Sequence, residues 1–380
     1  MKSLVKAVAT LALAAAFGPA LAQQTVKIVS LVELSGAGTT SGTNFRDGIN
    51  LAVKEINAAG GILGRQIALD TYDTQSNPAV AKALATKAVD QDAYVVMGPV
   101  FSGSIIVSMA ETRRAGIPNF TGGEAASITL QNNPFVYRTS FSQLMGMPKI
   151  AAYMSDKMKV KNVVVMYVNN DFGKGGRDAI IKELASRGVK VVADISTDQN
   201  QVDFSSPVLK AKQVQADALF AYLNEEESAR LLRELRKQGY DKPLIGETTL
   251  MGQKVIELAG DAANGVRGHV GLTIDAPVPG VRAFLSKFER EYKYKPDHNG
   301  IKGYTGIYIV KAVTERIGKF DKKAFAAAMK NLCLSAKETP ALLMDVCFDA
   351  RGDIDRESFL VEVKNGNQVV TETLPMMRKR

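Results

Sequence analysis

Residues 25–32 have the sequence TVKIVSLV, residues 45–59 the sequence FRDGINLAVKEINAA, and residues 66–72 the sequence QIALDTY. The first and third segments are rich in β-branched and other apolar residues, which is typical of strands. The middle segment places apolar residues three and four positions apart, as the buried face of a helix requires, and Gly60-Gly61 ends it. A strand, a helix and a second strand in this order predict a βαβ unit with a parallel sheet.

The same alternation continues along the chain and predicts two doubly wound α/β units in tandem. The rhythm begins again after Tyr137–Ser140, and Val163–Val168 is almost wholly apolar, as expected of a strand buried on both faces. Residues from Val281 to Lys330 are predicted to be mostly helical, and a hairpin of Ser358–Val363 and Gln368–Thr373 follows. The other predicted helices cover residues 78–89, 102–115, 146–158, 175–187, 204–214, 225–238 and 253–259. The other predicted strands cover residues 94–97, 118–121, 189–195, 218–222 and 243–245.

The N-terminus has the features of a secretory signal peptide. A basic start is followed by an apolar run over residues 7–17, and Ala20-Leu21-Ala22 matches an Ala-x-Ala cleavage site. A membrane anchor is the alternative, but a membrane-spanning helix needs about 20 apolar residues and this run is shorter. We therefore predict that residues 1–22 are a signal peptide, cut after Ala22, and that the mature protein lies in the periplasm.

The composition argues against a nucleic-acid-binding protein. The 380-residue chain has a formal net charge of +9, with 23% charged and 46% hydrophobic residues, which is ordinary for a soluble globular protein. Its basic residues are spread along the chain, apart from the short tail Arg378-Lys379-Arg380, whereas a nucleic-acid site needs a clustered basic stripe. We expect no nucleic-acid partner.

The loop Ser35–Gly42 resembles a dinucleotide-binding fingerprint, but its third glycine comes one residue late. Small hydroxyl residues before a helix can instead bind an anion at the positive helix end, or simply cap the helix. Both of these interpretations stay open. We predict no nucleotide cofactor.

Two further motifs have structural explanations. Asp171-Phe172-Gly173 matches the kinase metal triplet without its companion motifs, so it predicts a strand-to-helix turn whose aromatic side chain faces a cleft. Asn224, with Glu227 three residues later, forms a capping-box pattern around Glu225 and Glu226. For this segment we favour a solvated, well-capped helix over an acidic ligand site.

Catalytic and metal-binding motifs are missing from the sequence. Gly-x-Ser-x-Gly, His-Glu-x-x-His and Cys-x-x-Cys do not occur, and His269 and His298 are far apart. We therefore expect no enzymatic activity, no metal site and no cofactor. Cys333 and Cys347 are a candidate disulfide in an exported protein, with two buried free thiols as the alternative.

A set of short motifs occurs along nearly the whole mature chain. The motifs are Ser35-Gly36, residues 56–64, residues 72–78, Gly98-Pro99 followed by Ser102, residues 115–118, Tyr137-Arg138-Thr139, Asp171-Phe172-Gly173, Asp203-Phe204 and residues 348–353. Each is weak alone, but together, in this order and spacing, they are highly specific. On these motifs the chain resembles the type I periplasmic solute-binding proteins of branched-chain amino-acid ABC importers, the Leu/Ile/Val-binding group.

The resemblance implies a fold of two Rossmann-like lobes joined by three crossovers. Residues 23–141 and 273–352 would form lobe 1, and residues 142–272 and 353–380 would form lobe 2. The ligand would bind at the carboxyl ends of the strands, which is also where open α/β sheets bind small molecules.

The resemblance also implies the residues that contact the ligand. Ser102 and backbone amides would hold a carboxylate, while the acid that faces an ammonium in the family aligns with Thr248, beside Glu247. An amino acid is expected if Glu247 reaches the cleft, and a carboxylic acid without an amine if it does not. The implied ligand-binding residues are Ser41, Ser102, Gly123, Ala125, Phe172, Tyr222, Glu247 and Thr248.

The resulting expectation is the periplasmic binding component of an ABC importer. It would act as a monomer that captures a small carboxylate-bearing solute, with an apolar amino acid as first choice, and delivers it to permease subunits in the inner membrane. The alternatives are a sensory or regulatory ligand-binding module, and transport of a non-amino organic or aromatic acid.

Overall fold

The structure is a computed structural model that describes residues 24–377, so the predicted signal peptide and the basic tail lie outside the described residues. Its first sheet consists of β1 (Thr25–Val32), β2 (Gln66–Asp73), β3 (Val95–Met97), β4 (Asn119–Thr121) and β5 (Val136–Arg138). The helices in this part are α1 (Thr39–Ala58), α2 (Pro78–Asp90), α3 (Ser102–Ala115) and α4 (Ser127–Leu130). The strand order is β2-β1-β3-β4-β5, and every neighbouring pair is parallel, as the βαβ pattern predicts.

A second parallel sheet follows along the chain. Its strands are β6 (Asn162–Val168), β7 (Lys190–Thr197), β8 (Ala218–Tyr222), β9 (Leu244–Gly246) and β10 (Arg267–Val270). Its helices are α5 (Gln143–Ala152), α6 (Asp171–Ser186), α7 (Ser205–Lys212), α8 (Glu225–Lys237) and α9 (Gln253–Ala259).

The C-terminal quarter of the chain returns to both sheets. Its helices are α10 (Pro279–Tyr292), α11 (His298–Ile317) and α12 (Lys322–Met329). Its strands are β11 (Cys333–Leu334), β12 (Val346–Phe348), β13 (Ile354–Asp355), β14 (Ser358–Lys364) and β15 (Asn367–Leu374). Strands β14 and β15 form the predicted hairpin and extend the second sheet to the order β15-β14-β10-β9-β8-β6-β7. The chain therefore crosses between the sheets after β5, after β10 and before β14, while the exact lobe boundaries stay a prediction.

Strands β11, β12 and β13 form a small antiparallel sheet next to the third crossover. Cys333 lies directly across from Cys347 in this sheet, and a disulfide with an S–S distance of 2.00 Å joins them.

Helix α11 packs along α1 and so joins the C-terminal region to the first sheet. A Cβ atom on Gly48 would lie 2.1 Å from the Gly300 carbonyl oxygen, and one on Gly303 would lie 2.1 Å from the Phe45 carbonyl oxygen. The two helices therefore approach backbone to backbone, which only glycine allows. Asn44 accepts a hydrogen bond of 3.0 Å from the Asp297 amide, so the start of α11 is held beside α1.

Several helices begin where the sequence carries a capping residue. Asn77 accepts hydrogen bonds from the first amides of α2, and Pro78 follows it. Asn170 accepts from the Gly173 amide at 2.9 Å at the start of α6. The capping box of Asn224 and Glu227 is present at the start of α8. These side chains position the starts of the helices that follow the strands.

The structure also departs from the predicted elements. Helix α1 begins at Thr39, six residues before the predicted start, because buried Ser41 and Asn44 pack against other elements that the local pattern does not show. The predicted helix over residues 146–158 is α5 followed by a π-helical turn over residues 153–157. Strands β10 to β13 and helix α4 were not predicted. Among the described residues, no helix combines the length and the apolar character that crossing a membrane requires.

Candidate functional site

A cavity of about 680 Å³, its open mouth included, lies at the carboxyl ends of β3, β4, β6 and β8. This is the edge of an open α/β sheet at which small molecules bind. Both sheets contribute to it, since the loops after β3 and β4 belong to the first and those after β6 and β8 to the second. The lining residues are Ser41, Ser76, Pro78, Val100, Phe101, Ser102, Gly103, Ser104, Gly122, Gly123, Glu124, Asn170, Asp171, Phe172, Gln199, Asn224, Glu225, Thr249, His298, Asn299 and Lys302.

One wall of the cavity is the first turn of α3. Ser102 is the first residue of this 14-residue helix and is buried, and its hydroxyl accepts a hydrogen bond of 3.3 Å from the Ala125 amide. The first amides of a helix have no acceptor within the helix, and the helix dipole makes this end positive. Together with the Ser102 hydroxyl, these amides can bind an anionic group.

A buried acid, Glu33, holds the loop that leads into α3. The Glu33 carboxyl accepts hydrogen bonds from the Val100 amide at 3.1 Å and the Phe101 amide at 2.9 Å. Burial raises the pKa of Glu33 to about 7, although these two amides act in the opposite direction. Glu33 therefore determines the path of the chain between β3 and the start of α3.

A buried carboxyl from the second sheet forms another wall. Glu225 is the first residue of α8 and only 4% exposed, and it accepts hydrogen bonds from the Ser41 hydroxyl at 2.9 Å and the Asn299 side-chain amide at 3.5 Å. Burial, followed by the nearby acids Glu226 and Asp297, raises the pKa of Glu225 to about 8. The sequence predicted that the start of this helix is exposed to solvent. That prediction is wrong, because α1 and α11 cover this end of α8.

A buried ion pair lies between the two sheets. The Lys302 ammonium lies 3.4 Å from the Glu124 carboxylate and donates to the Gly122 carbonyl and the Asn299 side chain, both at 3.2 Å. The Tyr222 hydroxyl donates to Glu124 at 3.1 Å. Burial raises the pKa of Glu124 to about 6, against the opposing effect of Lys302. The turn after β4 is thus anchored to α11 on one side and to β8 on the other.

Two stacked aromatic rings, one in the cavity lining and one behind it, form a further side of the site. The rings of Phe172 and Tyr222 are 4.2 Å apart between centroids, with an interplanar angle of 23°. The Gln143 side chain donates to the Phe172 carbonyl at 2.8 Å and to the Tyr222 hydroxyl at 3.2 Å. Phe172 presents apolar surface to a ligand, and Tyr222 supports it from behind.

Comparison with known proteins agrees with this architecture. A family model described as periplasmic binding protein matches residues 25–368. The chain belongs to the periplasmic binding protein family. A leucine-, isoleucine-, valine-, threonine- and alanine-binding protein from Pseudomonas aeruginosa is 25% identical over 359 residues, covering 93% of each chain.

Solved structures of solute-binding proteins share the fold of this periplasmic binding protein. The branched-chain amino acid transporter substrate binding protein LivJ from Streptococcus pneumoniae, in complex with isoleucine, superimposes with a TM-score of 0.82 at 24% identity, covering 93% of this chain and 100% of that chain. A solute-binding protein of an ABC transporter from R. palustris, in complex with benzoate, gives a TM-score of 0.86 at 24% identity, covering 93% and 98%. The predicted fold and the predicted resemblance are confirmed, and these relatives are solute-binding proteins, the class that the sequence predicted.

Four of the residues that the resemblance implied line the cavity of this binding protein, and four do not. The residues that line it are Ser41, Ser102, Gly123 and Phe172, while Ala125, Tyr222, Glu247 and Thr248 lie outside its lining. Ala125 and Tyr222 lie directly behind it, where they bond to Ser102 and Glu124.

Thr248, which aligns with the family's acid, and the adjacent Glu247 lie outside the cavity lining. Glu247 is buried, bonds to the Nδ1 atom of His269, accepts from the Thr248 amide and is not part of the cavity lining. Of the two outcomes that the sequence left open, a Glu247 carboxylate that lines the cleft is therefore not the one observed. The Thr248 hydroxyl accepts from the Gly271 amide at 3.3 Å. The neighbouring Thr249 lines the cavity instead.

Sequence reasoning missed several cavity residues that come from distant segments. Glu225 was visible as part of an acidic cluster but was interpreted as a cap, and Lys302, His298 and Asn299 lie at the start of α11 without any motif. No local pattern marks the start of α11 as part of the site, because only its packing on α1 brings it there.

A fully buried arginine holds the turn after β4 in place. Arg138 forms an ion pair with Asp353 at 2.6 Å and donates to the carbonyls of Gly123 at 2.6 Å and Ala125 at 2.9 Å. Arg138 ends β5 at the first crossover, and Asp353 lies on the third. The turn that lines the cavity is therefore bonded to two of the three segments that join the sheets. Within residues 24–377, no group of three or more metal-ligating side chains is arranged to hold a metal ion.

Proposed function

We propose that this protein is the substrate-binding component of an ABC importer and that it captures an α-amino acid between its two lobes. The buried carboxyl of Glu225, which lines the same cavity as the start of α3, carries this proposal. The predicted export signal and cleavage after Ala22 belong to it, since the mature protein would act in the periplasm and pass its ligand to membrane permease subunits.

The start of α3 is the site for the ligand carboxylate. The Ser102 hydroxyl and the free amides of the first helical turn donate hydrogen bonds in a region of positive potential. Hydrogen bonds from such donors to an ionised carboxylate are short and stronger than those between neutral groups. One carboxylate is thus bound without a cationic side chain.

Glu225 is the partner for the ligand ammonium. The donors that it has in the protein, Ser41 and Asn299, are neutral, and the strongest charged neighbours, Glu226 and Asp297, are acidic. Ionising a buried carboxyl in such surroundings is costly, and a cation that enters the cavity offsets that cost. In this proposal an acid from the start of α8 takes the role that the resemblance implied for residues 247–248.

The same carboxyl links ligand capture to lobe closure. Ser41 on α1 donates to Glu225, and the neighbouring Thr40 donates to Glu226, so hydrogen bonds join α1 of the first sheet to α8 of the second. A ligand that bridges α3 and Glu225 adds to these contacts and favours the closed arrangement. Rotation of the lobes about the three crossovers would then close the cavity around the ligand.

An aromatic carboxylate without an amine is the second candidate. Phe101 and Phe172 line the cavity and can cover a benzene ring, and the R. palustris neighbour binds benzoate. Such a ligand would use the start of α3 in the same way but would leave Glu225 without a cation.

Calorimetry on the purified mature protein decides between the two candidates. The ligands are leucine, valine, phenylalanine, their des-amino analogues and benzoate. An amino acid that binds while its des-amino analogue does not supports the proposal, whereas tighter binding of the des-amino acids and benzoate would overturn it in favour of the second candidate. Deletion of the gene should abolish uptake of the ligand, and loss of regulation with uptake intact would point to a sensory role instead.

A further inference from the structure

Two polar side chains of the cavity lining each carry a buried atom that has no hydrogen-bond partner among the described residues. Ser104 lies in the first turn of α3, and His298 is the first residue of α11; they are 1% and 4% exposed. The hydroxyl oxygen of Ser104 and the Nδ1 atom of His298 are buried and unbonded within residues 24–377. Buried polar groups are almost always hydrogen-bonded in folded proteins, so each of these atoms needs an explanation.

These two side chains are distinct from the groups that hold the amino-acid backbone of the ligand. Ser102 already bonds to the Ala125 amide beside the carboxylate site, and Glu225 is held by Ser41 and Asn299. Ser104 and His298 are therefore available to a different part of the molecule, which for an α-amino acid is its side chain.

The charge state of His298 indicates which kind of ligand side chain can bond to it. Burial, with a further contribution from the Lys302 ammonium, lowers the pKa of His298 well below its usual value. The imidazole is therefore neutral and offers one donor and one acceptor nitrogen. The Ser104 hydroxyl is neutral as well, so neither group compensates a charge.

We propose that the ligand side chain carries an uncharged hydrogen-bonding group, a hydroxyl or a carboxamide, that bonds to Ser104 and His298. This inference rests on the proposed function, since it concerns the side chain of an amino acid bound in the same cavity. It departs from the apolar side chain that the sequence predicted.

An apolar side chain in this position would cover both groups without satisfying them. Truncation and substitution data put the cost of a buried unsatisfied polar group at about 1–3 kcal/mol, which is roughly 5- to 150-fold in affinity. A hydroxyl or carboxamide can donate and accept, so it can bond to both side chains. The apolar side chains in the lining are Pro78, Val100, Phe101 and Phe172, and they suit the aliphatic part of such a ligand.

Matched pairs of amino acids test the proposal directly. Threonine and valine, asparagine and leucine, and glutamine and methionine have similar sizes within each pair and differ mainly in polarity. One of these pairs should match the size of the cavity. In calorimetry on the mature protein, the polar amino acid of that pair should bind roughly ten- to a hundredfold tighter than the apolar one. Tighter binding of the apolar member in every pair would overturn the proposal.

Two serine variants on one helix provide the control. Ser104→Ala should reduce the polar preference to about threefold or less and leave the affinity for the apolar member unchanged or higher, because the unsatisfied hydroxyl is gone. Ser108→Ala should leave the preference intact, since Ser108 is 1% exposed on the same helix but lies outside the cavity lining and already donates to the Ile105 carbonyl at 3.3 Å. An unchanged preference in the Ser104 variant would also overturn the proposal.

Failure of the proposed function would look different. In that case none of the six amino acids would bind, or their des-amino analogues would bind equally well. A preference for apolar amino acids that still requires the amine would contradict only the assignment of Ser104 and His298.

Discussion

Replacing Glu225 by glutamine tests the ammonium site, and the expected magnitude follows from its pKa. Burial and the neighbouring acids raise the pKa of Glu225 to about 8, so the carboxyl is mostly protonated in the ligand-free protein at pH 7. A ligand ammonium needs the ionised form, and ionising a carboxyl one pH unit below its pKa costs about 1.4 kcal/mol. Affinity of the wild-type protein for its amino acid should therefore rise about tenfold per pH unit from pH 6 towards 8.

The glutamine variant should lose both the affinity and its dependence on pH. Removing one member of a buried charge pair costs roughly 2–5 kcal/mol, so at pH 8 the dissociation constant should rise about 30-fold or more. Below pH 8 the difference between wild type and variant should shrink, because the wild-type carboxyl takes up a proton. Calorimetry at pH 6, 7 and 8 measures both effects.

Glu234→Gln is the matched control, since it makes the same chemical change further along α8. Glu234 bonds to Lys237 and Gln238, lies outside the cavity lining and is not among the groups that raise the pKa of Glu225, so its variant should keep the pH dependence of binding. A wild-type affinity that is flat between pH 6 and 8, or an unchanged affinity in the Glu225 variant, would refute the assignment of Glu225 to the ammonium.

The pH dependence of the stability of the ligand-free protein tests the raised pKa of Glu225 independently. The folded protein binds more protons than the unfolded chain between the ordinary pKa of 4.5 and the raised value of about 8. The free energy of unfolding should therefore fall as pH rises through this window, by up to about 1.4 kcal/mol per unit from this residue. In the Glu225→Gln variant this contribution should be absent. The free energy of unfolding of the variant, relative to that of the wild type, should therefore increase as the pH rises from 6 to 8.

Three further predictions concern other parts of the molecule. Ser102→Ala should weaken every carboxylate ligand by roughly 1.5–3 kcal/mol, the value of a hydrogen bond to a charged group, and an unchanged calorimetric affinity would remove Ser102 from the site. Replacing Cys333 and Cys347 together by serine should lower the free energy of unfolding by about 3 kcal/mol, because the bond closes a loop of about 15 residues. Equal denaturation midpoints for the two proteins, or two alkylatable thiols in the non-reduced wild type, would contradict this. Small-angle scattering should show a smaller radius of gyration with saturating ligand, since we expect rotation about Ser140–Ser142, Leu272–Asp275 and Arg351–Asp355; an unchanged radius would count against the hinge.

The sequence by itself determined the class of fold and most of its elements. Alternation of apolar strands with amphipathic helices is a local property, so β6, β8, α3 and α9 were predicted to within a residue at each end. Ser102 was also predicted as a site residue through the resemblance, and its place at the start of a helix after a buried strand agrees with the edge at which open α/β sheets bind ligands.

Only the tertiary structure decided which charged groups face the ligand. Glu225 and Glu247 both follow strands of the second sheet, and the sequence favoured Glu247 as the acid of the site. In the folded protein Glu247 bonds to His269 and lies outside the cavity lining, while α1 and α11 bury Glu225 against the cavity. These contacts join residues more than 20 positions apart, up to 184 for Ser41 and Glu225. Local patterns carry no information on such pairings, because burial and charge depend on elements that meet only after the chain has folded.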